Sequence, residues 1–371
     1  MKVVFVGLIL LHGALHLLGF FKAFQLAPID QLTTTISRPL GLMWLLAAIC
    51  LIATALLYFF HSPYWWIPAG IGLLVSVNLI INNWTDAKWG MVPNLVLLVV
   101  LVLYFAAYQF KSHYISDVQQ TLGSNLTDIS GKVLSVNDLA GLPDAVKKYI
   151  IQSGFVDKPI IKNFKAISAG TIRNNENAAW IPLSIEQYNF IEPATRLFYM
   201  NGTMKGLPVA GYHRFKDGHA YMDVRLASLL KVQYQDGKEM DIAETVTFFN
   251  DLCLFAPGAL PFKKVQWEVL DSHAVRADFT EGNITIRAIL YFNDRNELID
   301  FESEDRYFNQ EDHTMSRFKW TTPITNYREY QGYYIASKGE AIWHFPEGKL
   351  VYAQFDLKEI DYNKDYRPNN K

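Results

Sequence analysis

The chain has 371 residues, of which 50% are hydrophobic and 14% aromatic, and carries a formal net charge of -2. That length exceeds one ordinary domain, and the balanced charge, with no basic stripe, excludes nucleic acid as a partner. Two cysteines, Cys50 within an apolar run and Cys253 far from it, exclude a disulfide framework or a Cys/His zinc site.

The averages conceal two unlike halves. Residues 1–111 contain five of the 34 basic and two of the 36 acidic residues, which leaves 29 basic and 34 acidic for 112–371. The first half carries four apolar segments of roughly the 20 residues a bilayer requires: Val3–Phe24, Pro39–Phe60, Tyr64–Trp84 and Trp89–Phe110. The first reads as a retained anchor, because no small-residue cleavage site follows it and three more spans come after. Tyr64, Trp65, Trp66, Trp84, Trp89 and Tyr108 sit at span ends, where an interfacial aromatic belt belongs. The joints "HSPYWW" and "TDAKWG" are short, so successive helices form tight antiparallel hairpins. Four spans put both termini on one side, with Lys2 and Lys111; Lys22, Arg38 and Lys88 mark the other. The positive-inside count, three against two, then predicts a multi-pass membrane protein with an extracytoplasmic C-terminal domain.

The first span holds His12 and His16, one helical turn apart and so on one face. Ionisable groups inside a membrane mark a functional site or an interhelical polar contact. Two histidines on one turn of one helix cannot be the opposite axial ligands of one haem. At a rise of about 1.5 Å per residue, His16, Asn78 and Asn94 fall at one depth to within about a turn. His12, His16, Asn78 and Asn94 are therefore expected to form an intramembrane polar layer, with Asn78 as the partner of His16.

Residues 112–139 are polar, with Gly and Ser, and read as a linker. "LPDAVKKYIIQSG" predicts a short amphipathic helix with Pro143 at its start and Gly154 at its stop. From there to the C-terminus period-two stretches dominate, separated by turn residues such as "KDG", "TEGN", "NDRN" and "PEG". One helix, "MDIAETVTFFNDLCLFAPGAL", interrupts them. The expectation for 140–371 is an α+β domain: about ten antiparallel strands in a large curved, half-barrel-like sheet, with one or two helices.

Two clusters in this half carry chemistry. Glu244 and Asp251 lie seven apart on the internal helix, hence on one face. Paired carboxylates can serve acid–base hydrolysis, but such a face is more often solvated, with Ile242, Val246, Phe249 and Cys253 turned to the core. His213, His219 and Asp223 could be read as metal ligands. If Asp217-Gly218 is a two-residue turn, Lys216 faces His219 and His213 faces Met222, which puts the two histidines on opposite faces. There is no Gly-rich phosphate loop, no G-x-S-x-G and no H-E-x-x-H, so no metal or other cofactor is expected.

The stretches "HGALHLLGFFKAF" with "ISRPLGLMWLLAA", and "WIPLSIEQYNFIEPATRLFYMNGTMKGLPVAGYHRFKDGHAYM" with "GKEMDIAETVTFFNDLCLFAPGAL", resemble an uncharacterised family of bacterial membrane proteins. That family carries an HGxxHLxGF-type first helix and a β-rich C-terminal domain, and has no established activity. The strand pattern is also similar to the curved half-barrels of bacterial lipoprotein carriers, which enclose an apolar cavity. What the resemblance implies is placement in the bacterial cytoplasmic (inner) membrane and no mechanism. The aromatic content of a large curved sheet tethered to a bilayer leads to the expectation of a non-enzymatic protein whose partners are the lipid bilayer and a lipid or other apolar small molecule. The alternative is a membrane-bound hydrolase using Glu244 and Asp251. The oligomeric state is left open.

Overall fold

The structure, a computed structural model, describes residues 2–124, 132–310 and 314–365. It divides into two compact units, Met1–Tyr108 and Gln109–Lys371.

The first unit is helical: α1 (Lys2–Ala23), α2 (Arg38–Phe59), α3 (Trp66–Asn82), the single turn α4 (Trp84–Ala87) and the first part of α5 (Met91–Ser124). α1, α2 and the helix ending at Ser124 are long and apolar enough to cross a membrane. α3, which lies within the expected span Tyr64–Trp84, has 17 residues and reaches about 25 Å at 1.5 Å per residue, short of a hydrocarbon core of about 30 Å. Small residues bring α1 and α2 together. A side chain on Gly13 would meet Ile52 Cγ1 at 2.9 Å, one on Gly19 would run into the Trp44 indole, and one on Gly41 into Ala23. Where surrounding lipid is as apolar as the helices, such close backbone approach supplies the packing.

α5 continues to Ser124, so residues 112–124, expected as linker, are helical; 125–131 lie outside the described residues. The segment is polar, yet Phe110, Tyr114, Val118 and Leu122 recur every fourth residue and form one apolar stripe. The stripe packs on Leu197, Tyr199, Ala210 and Tyr212. A polar composition concealed a helix that needs only one buried face.

The second unit is α+β. After α6 (Asp144–Gln152), with Pro143 before its first turn and Gly154 at φ 71° beyond its end, come β1 (Asn163–Ile172), β2 (Ile181–Phe190), β3 (Thr195–Met204), β4 (Leu207–Lys216), β5 (His219–Leu226) and β6 (Leu230–Asp236). α7 (Lys238–Phe255) interrupts them. Then follow β7 (Val265–Val269), β8 (Ala274–Glu281), β9 (Ile284–Phe292), β10 (Leu298–Ser303), β11 (Tyr307–Asn309), β12 (Met315–Arg317), β13 (Lys319–Thr321), β14 (Ile324–Tyr330), β15 (Tyr333–Phe345) and β16 (Gly348–Tyr362).

Fourteen strands form one open antiparallel sheet in the order β6-β5-β4-β3-β2-β1-β16-β15-β13-β10-β9-β8-β7, with β14 also on β15; β11 and β12 form a separate ribbon. Among the described residues the strands number sixteen rather than about ten: β6 was not expected, "LIDFESEDRYF" breaks into β10 and β11, and "SRFKWTTPITNYREY" breaks into β12, β13 and β14. Residues 304–306 divide the first, and Thr322-Pro323 parts β13 from β14 in the second, where proline cannot donate to the ladder. The Asp217-Gly218 turn pairs Lys216 with His219 and His213 with Met222, as its two-residue length requires.

The sheet curls around α7, which touches β4, β5 and β6 on one side and β9, β10 and β15 on the other. Phe248 and Phe249 are fully buried and stack among Phe215, Phe279 and Phe301. The concave side is therefore a packed core. Two surface depressions, of about 350 and 580 Å³, lie elsewhere, beside Arg295 and Tyr334 and beside Arg317 and His344.

Candidate functional site

Between α7 and the sheet the hydrophobic core of the second unit contains a charged cluster, and α7 builds half of it. Gly237, at φ 93°, turns the chain into the helix, and Glu239 and Asp241 fall in its first turn, where acidic side chains complement the helix dipole. Asp241 also accepts from the Ala220 backbone N–H at 2.7 Å, fixing that end of α7 to β5. At the other end Tyr149 and Tyr362 donate their hydroxyls to the carbonyls of Cys253 (2.9 Å) and Phe255 (2.6 Å). These are among the last carbonyls of the helix, which have no partner within it.

Between these anchors Glu244 and Asp251 point at the sheet rather than at solvent. Both are buried, which overturns the expectation of a solvated face. β2 and β3 answer them. Strand alternation puts Gln187 and Asn189 on one face of β2, and register sets Asn189 opposite Arg196 and Gln187 opposite Phe198. One β-strand further, Phe198 pairs with His213. Arg196 donates from Nε to Asp251 Oδ2 at 2.7 Å and from its terminal nitrogen to Glu244 Oε2 at 3.1 Å. Gln187 (2.7 Å) and Asn189 (3.2 Å) donate to the same Asp251 oxygen. His213 Nδ1 lies 3.9 Å from Glu244 Oε1, and its Nε2 is buried without a hydrogen-bond partner. Arg306 closes the far side: its guanidinium lies 4.4 Å from the centre of the Trp320 ring and donates to Thr247 on α7.

The electrostatics follow from burial with pairing. Burial alone would raise the Glu244 carboxyl, but the charge of Arg196 and the nearby His213 hold it down at about 2. Burial raises Asp251, with Arg196 pulling against it. Burial keeps His213 below its usual range, so it is neutral at pH 7. Two carboxylates thus face two guanidiniums, and the cluster is neutral as a whole. Sequence reasoning found Glu244 and Asp251 but missed Arg196, Gln187, Asn189 and Arg306. The available signal was the run "EQYNF", whose two amides alternate onto one face of an otherwise apolar strand.

The other residues read as a metal cluster do not join. His213 faces α7, whereas His219 is exposed on the opposite face beside Asp241, and Asp223 is engaged by Arg225 at 2.7 Å. Cys50 and Cys253 are free and buried.

In the first unit the polar layer has a different membership from that expected. His12 Nε2 donates to Asn94 Oδ1 at 3.0 Å and lies 3.3 Å from Ser76 Oγ, and Asn94 Nδ2 donates to Ser76 Oγ at 2.9 Å. His16 Nδ1 donates to the His12 carbonyl at 2.9 Å, within its own helix, and its ring lies 5.2 Å from that of Trp44. Asn78 is exposed and pairs with Asn82. Ser76, two residues earlier on α3, takes the place expected for Asn78.

Three solved structures bear a partial likeness to this chain. A domain assigned to outer membrane lipoprotein sorting in Vibrio parahaemolyticus has 12% identity and a TM-score of 0.34, over 56% of this chain and 88% of its own. A DUF1329 family protein from Desulfovibrio piger has 9% identity and a TM-score of 0.34, over 62% and 94%. A LolA superfamily protein from Nitrosomonas europaea has 9% identity and a TM-score of 0.29, over 59% and 94%. A search of curated proteins finds no match. Residues 132–355 match the model of a family of unknown function, DUF6544, and with most of its length so matched the chain belongs to that family.

Proposed function

We propose that this protein is held in the bacterial cytoplasmic membrane by its N-terminal helices and binds a lipid or another apolar molecule between α7 and the concave face of its sheet. The observation that carries the reading is the lining of that face. Phe215, Phe279, Phe301 and Leu290 form a broad apolar surface covered mainly by one helix. Such a surface is what an apolar ligand needs, with a few convergent polar groups to orient it. The space is filled in this state, so binding requires α7 to give way, and the ligand then replaces the apolar contacts of Phe248 and Phe249.

The hydrolase alternative finds less support. Glu244 and Asp251 share one guanidinium and lie under the helix, so neither is free to move a proton to or from a substrate.

The test is photo-crosslinking of the full chain in vesicles that contain a phospholipid with a photoactivatable acyl chain. Cross-links are expected in peptides from 240–260 and 275–301. Cross-links confined to the N-terminal helices and the outer surface of the second unit would overturn the reading.

A further inference from the structure

The β3–β6 part of the sheet ends in two neighbouring hairpin turns. Lys205 and Gly206 have φ of 49° and 82°, and Ala227 and Ser228 have φ of 52° and 56°. Positive φ at both central residues is the tight two-residue turn that suits strand twist, and Asn-Gly ordinarily fills it. Ala227-Ser228 takes the same pair of angles without glycine, within a three-residue connection between the paired Leu226 and Leu230. It is held by the Leu229 backbone N–H donating to Leu226 at 3.1 Å and by the Ala227 N–H donating to Pro208 of the neighbouring strand at 2.6 Å. The turn presents Leu229 and Leu230, the latter 66% exposed, with Leu207 and Val232 beside them, each about half exposed. Lys205 and Lys231 flank these side chains.

The hairpin turn at the opposite end of the same strands gives a direct comparison. Asp217-Gly218 has the same positive-φ pair, yet its neighbours are the half-buried Lys216 and the exposed His219. One end is polar, as an ordinary hairpin is. The other displays four large aliphatic side chains with lysines around them.

The register of α5 along the sheet identifies the apolar end. Arg225, which pairs with Ala210, lies over the Phe110 ring at 4.7 Å. Seven residues on, Asp117 accepts from Tyr212 (2.7 Å) and Arg214 (3.1 Å). As α5 runs from 110 to 117, its partners on β4 run from 210 to 214. Within this unit, the Gln109 end of α5 is therefore the end nearer Leu207 and the two apolar turns. They lie at the end of the domain where the chain enters from the apolar stretch of α5. Lys111 and Arg225 lie at that end too, and the nearby Asp223 is already paired with Arg225.

We infer that the hairpin turns at Lys205–Leu207 and Ala227–Val232 form a membrane-docking edge, with Leu207, Leu229, Leu230 and Val232 inserted at the boundary between headgroups and acyl chains. Lys205 and Lys231 meet anionic lipid headgroups. Exposed apolar side chains with flanking lysines are the signature of interfacial binding, and basic residues near an anionic leaflet are attracted to it. The inference rests on the reading that the apolar part of α5 crosses a membrane.

The test uses the full chain in phosphatidylcholine–phosphatidylglycerol vesicles, with an environment-sensitive fluorophore on one introduced cysteine at a time; Cys50 and Cys253 are both buried. Leu98→Cys reports the span, Leu230→Cys and Leu207→Cys the docking edge, and Asp217→Cys the far turn. Expected are blue-shifted emission and quenching at Leu230 and Leu207 by lipids brominated near the headgroup end of the acyl chain, with water-like emission and no quenching at Asp217. If Leu98 is quenched while Leu230 and Leu207 behave like Asp217, the docking edge is overturned and the anchor stands. If Leu98 itself is not quenched, the membrane reading falls and the docking edge falls with it.

Discussion

Arg196 on β3 donates to Asp251 on α7 at 2.7 Å, 55 residues away in sequence and inside the hydrophobic core. The same guanidinium reaches Glu244, so one cation fixes two successive turns of the helix over the sheet. A paired buried charge adds little net stability over a well-packed apolar equivalent, but removing one partner leaves the other uncompensated.

Arg196→Met should therefore destabilise the fold by about 3–5 kcal/mol, because two buried carboxylates lose their counter-charge. Glu244→Gln should cost less, about 1–3 kcal/mol, as expected for an imperfectly replaced buried partner. Urea unfolding of the detergent-purified protein, followed by near-UV circular dichroism, measures both. A change below about 0.5 kcal/mol in either, the size of an ordinary surface effect, would contradict the buried placement.

Acid should act through Glu244. Its folded-state value of about 2 lies below the ordinary 4.5. A depressed carboxyl contributes stability that is complete above its unfolded value and is lost as pH falls through the folded one. The loss should therefore run from about pH 4.5 down to about 2. Burial shifts Asp251 the opposite way, so the informative quantity is the difference between wild type and Glu244→Gln. That difference should shrink with acidification. A constant difference across the window, in melting temperatures taken at each pH, would contradict the assignment.

In the helical unit, Asn94→Leu should weaken packing modestly while leaving the protein inserted. An interhelical hydrogen bond in a membrane averages about 0.6 kcal/mol and seldom exceeds about 1.7, and Asn94 bridges His12 and Ser76. Asn78→Leu should have no effect on packing, since Asn78 is exposed. Unfolding in mixed micelles with rising dodecyl sulfate compares the two, and equal losses would contradict the layer as placed.

Gly19→Ala should cost about 1–3 kcal/mol, the usual range for overpacking, because the added carbon meets the Trp44 indole. Gly7→Ala adds a carbon with no atom near it and should be neutral or slightly stabilising. The same micelle titration separates them, and a neutral Gly19→Ala would mean that α1 and α2 are further apart.

The crossing of α3 decides the topology. If its 17 residues span the bilayer, reporter fusions after Phe60 and after Phe110 should report the same side. Opposite sides would mean an odd number of crossings and would reverse the placement of the second unit.

Period and turn chemistry are local properties, and they were legible in the sequence. Alternation in "ITIRAILYF" and "HAYMDVRL" predicts strands, and both are strands. The two-residue length of Asp217-Gly218 sets the register that parts His213 from His219, because side chains alternate along a strand. α6 was equally plain from its proline start, glycine stop and amphipathic period. The lower half of α5 was not, since its composition is polar and only one face is buried.

What only the tertiary structure decided is the direction in which a side chain faces when several faces are covered. Helical spacing puts Glu244 and Asp251 on one side of α7, but from Ala243 to Leu254 every residue of that helix is buried. The sequence pattern therefore has no polar face from which to orient it. Arg196, some fifty residues upstream, supplied the answer through strand pairing. The polar layer of the helical unit shows the same division. Rise per residue sets depth, and by depth Asn78 and Ser76 are nearly equivalent partners. Two residues on a helix are separated by about 200° of rotation, and the packing of α1 against its neighbours turned Ser76 inward and Asn78 out.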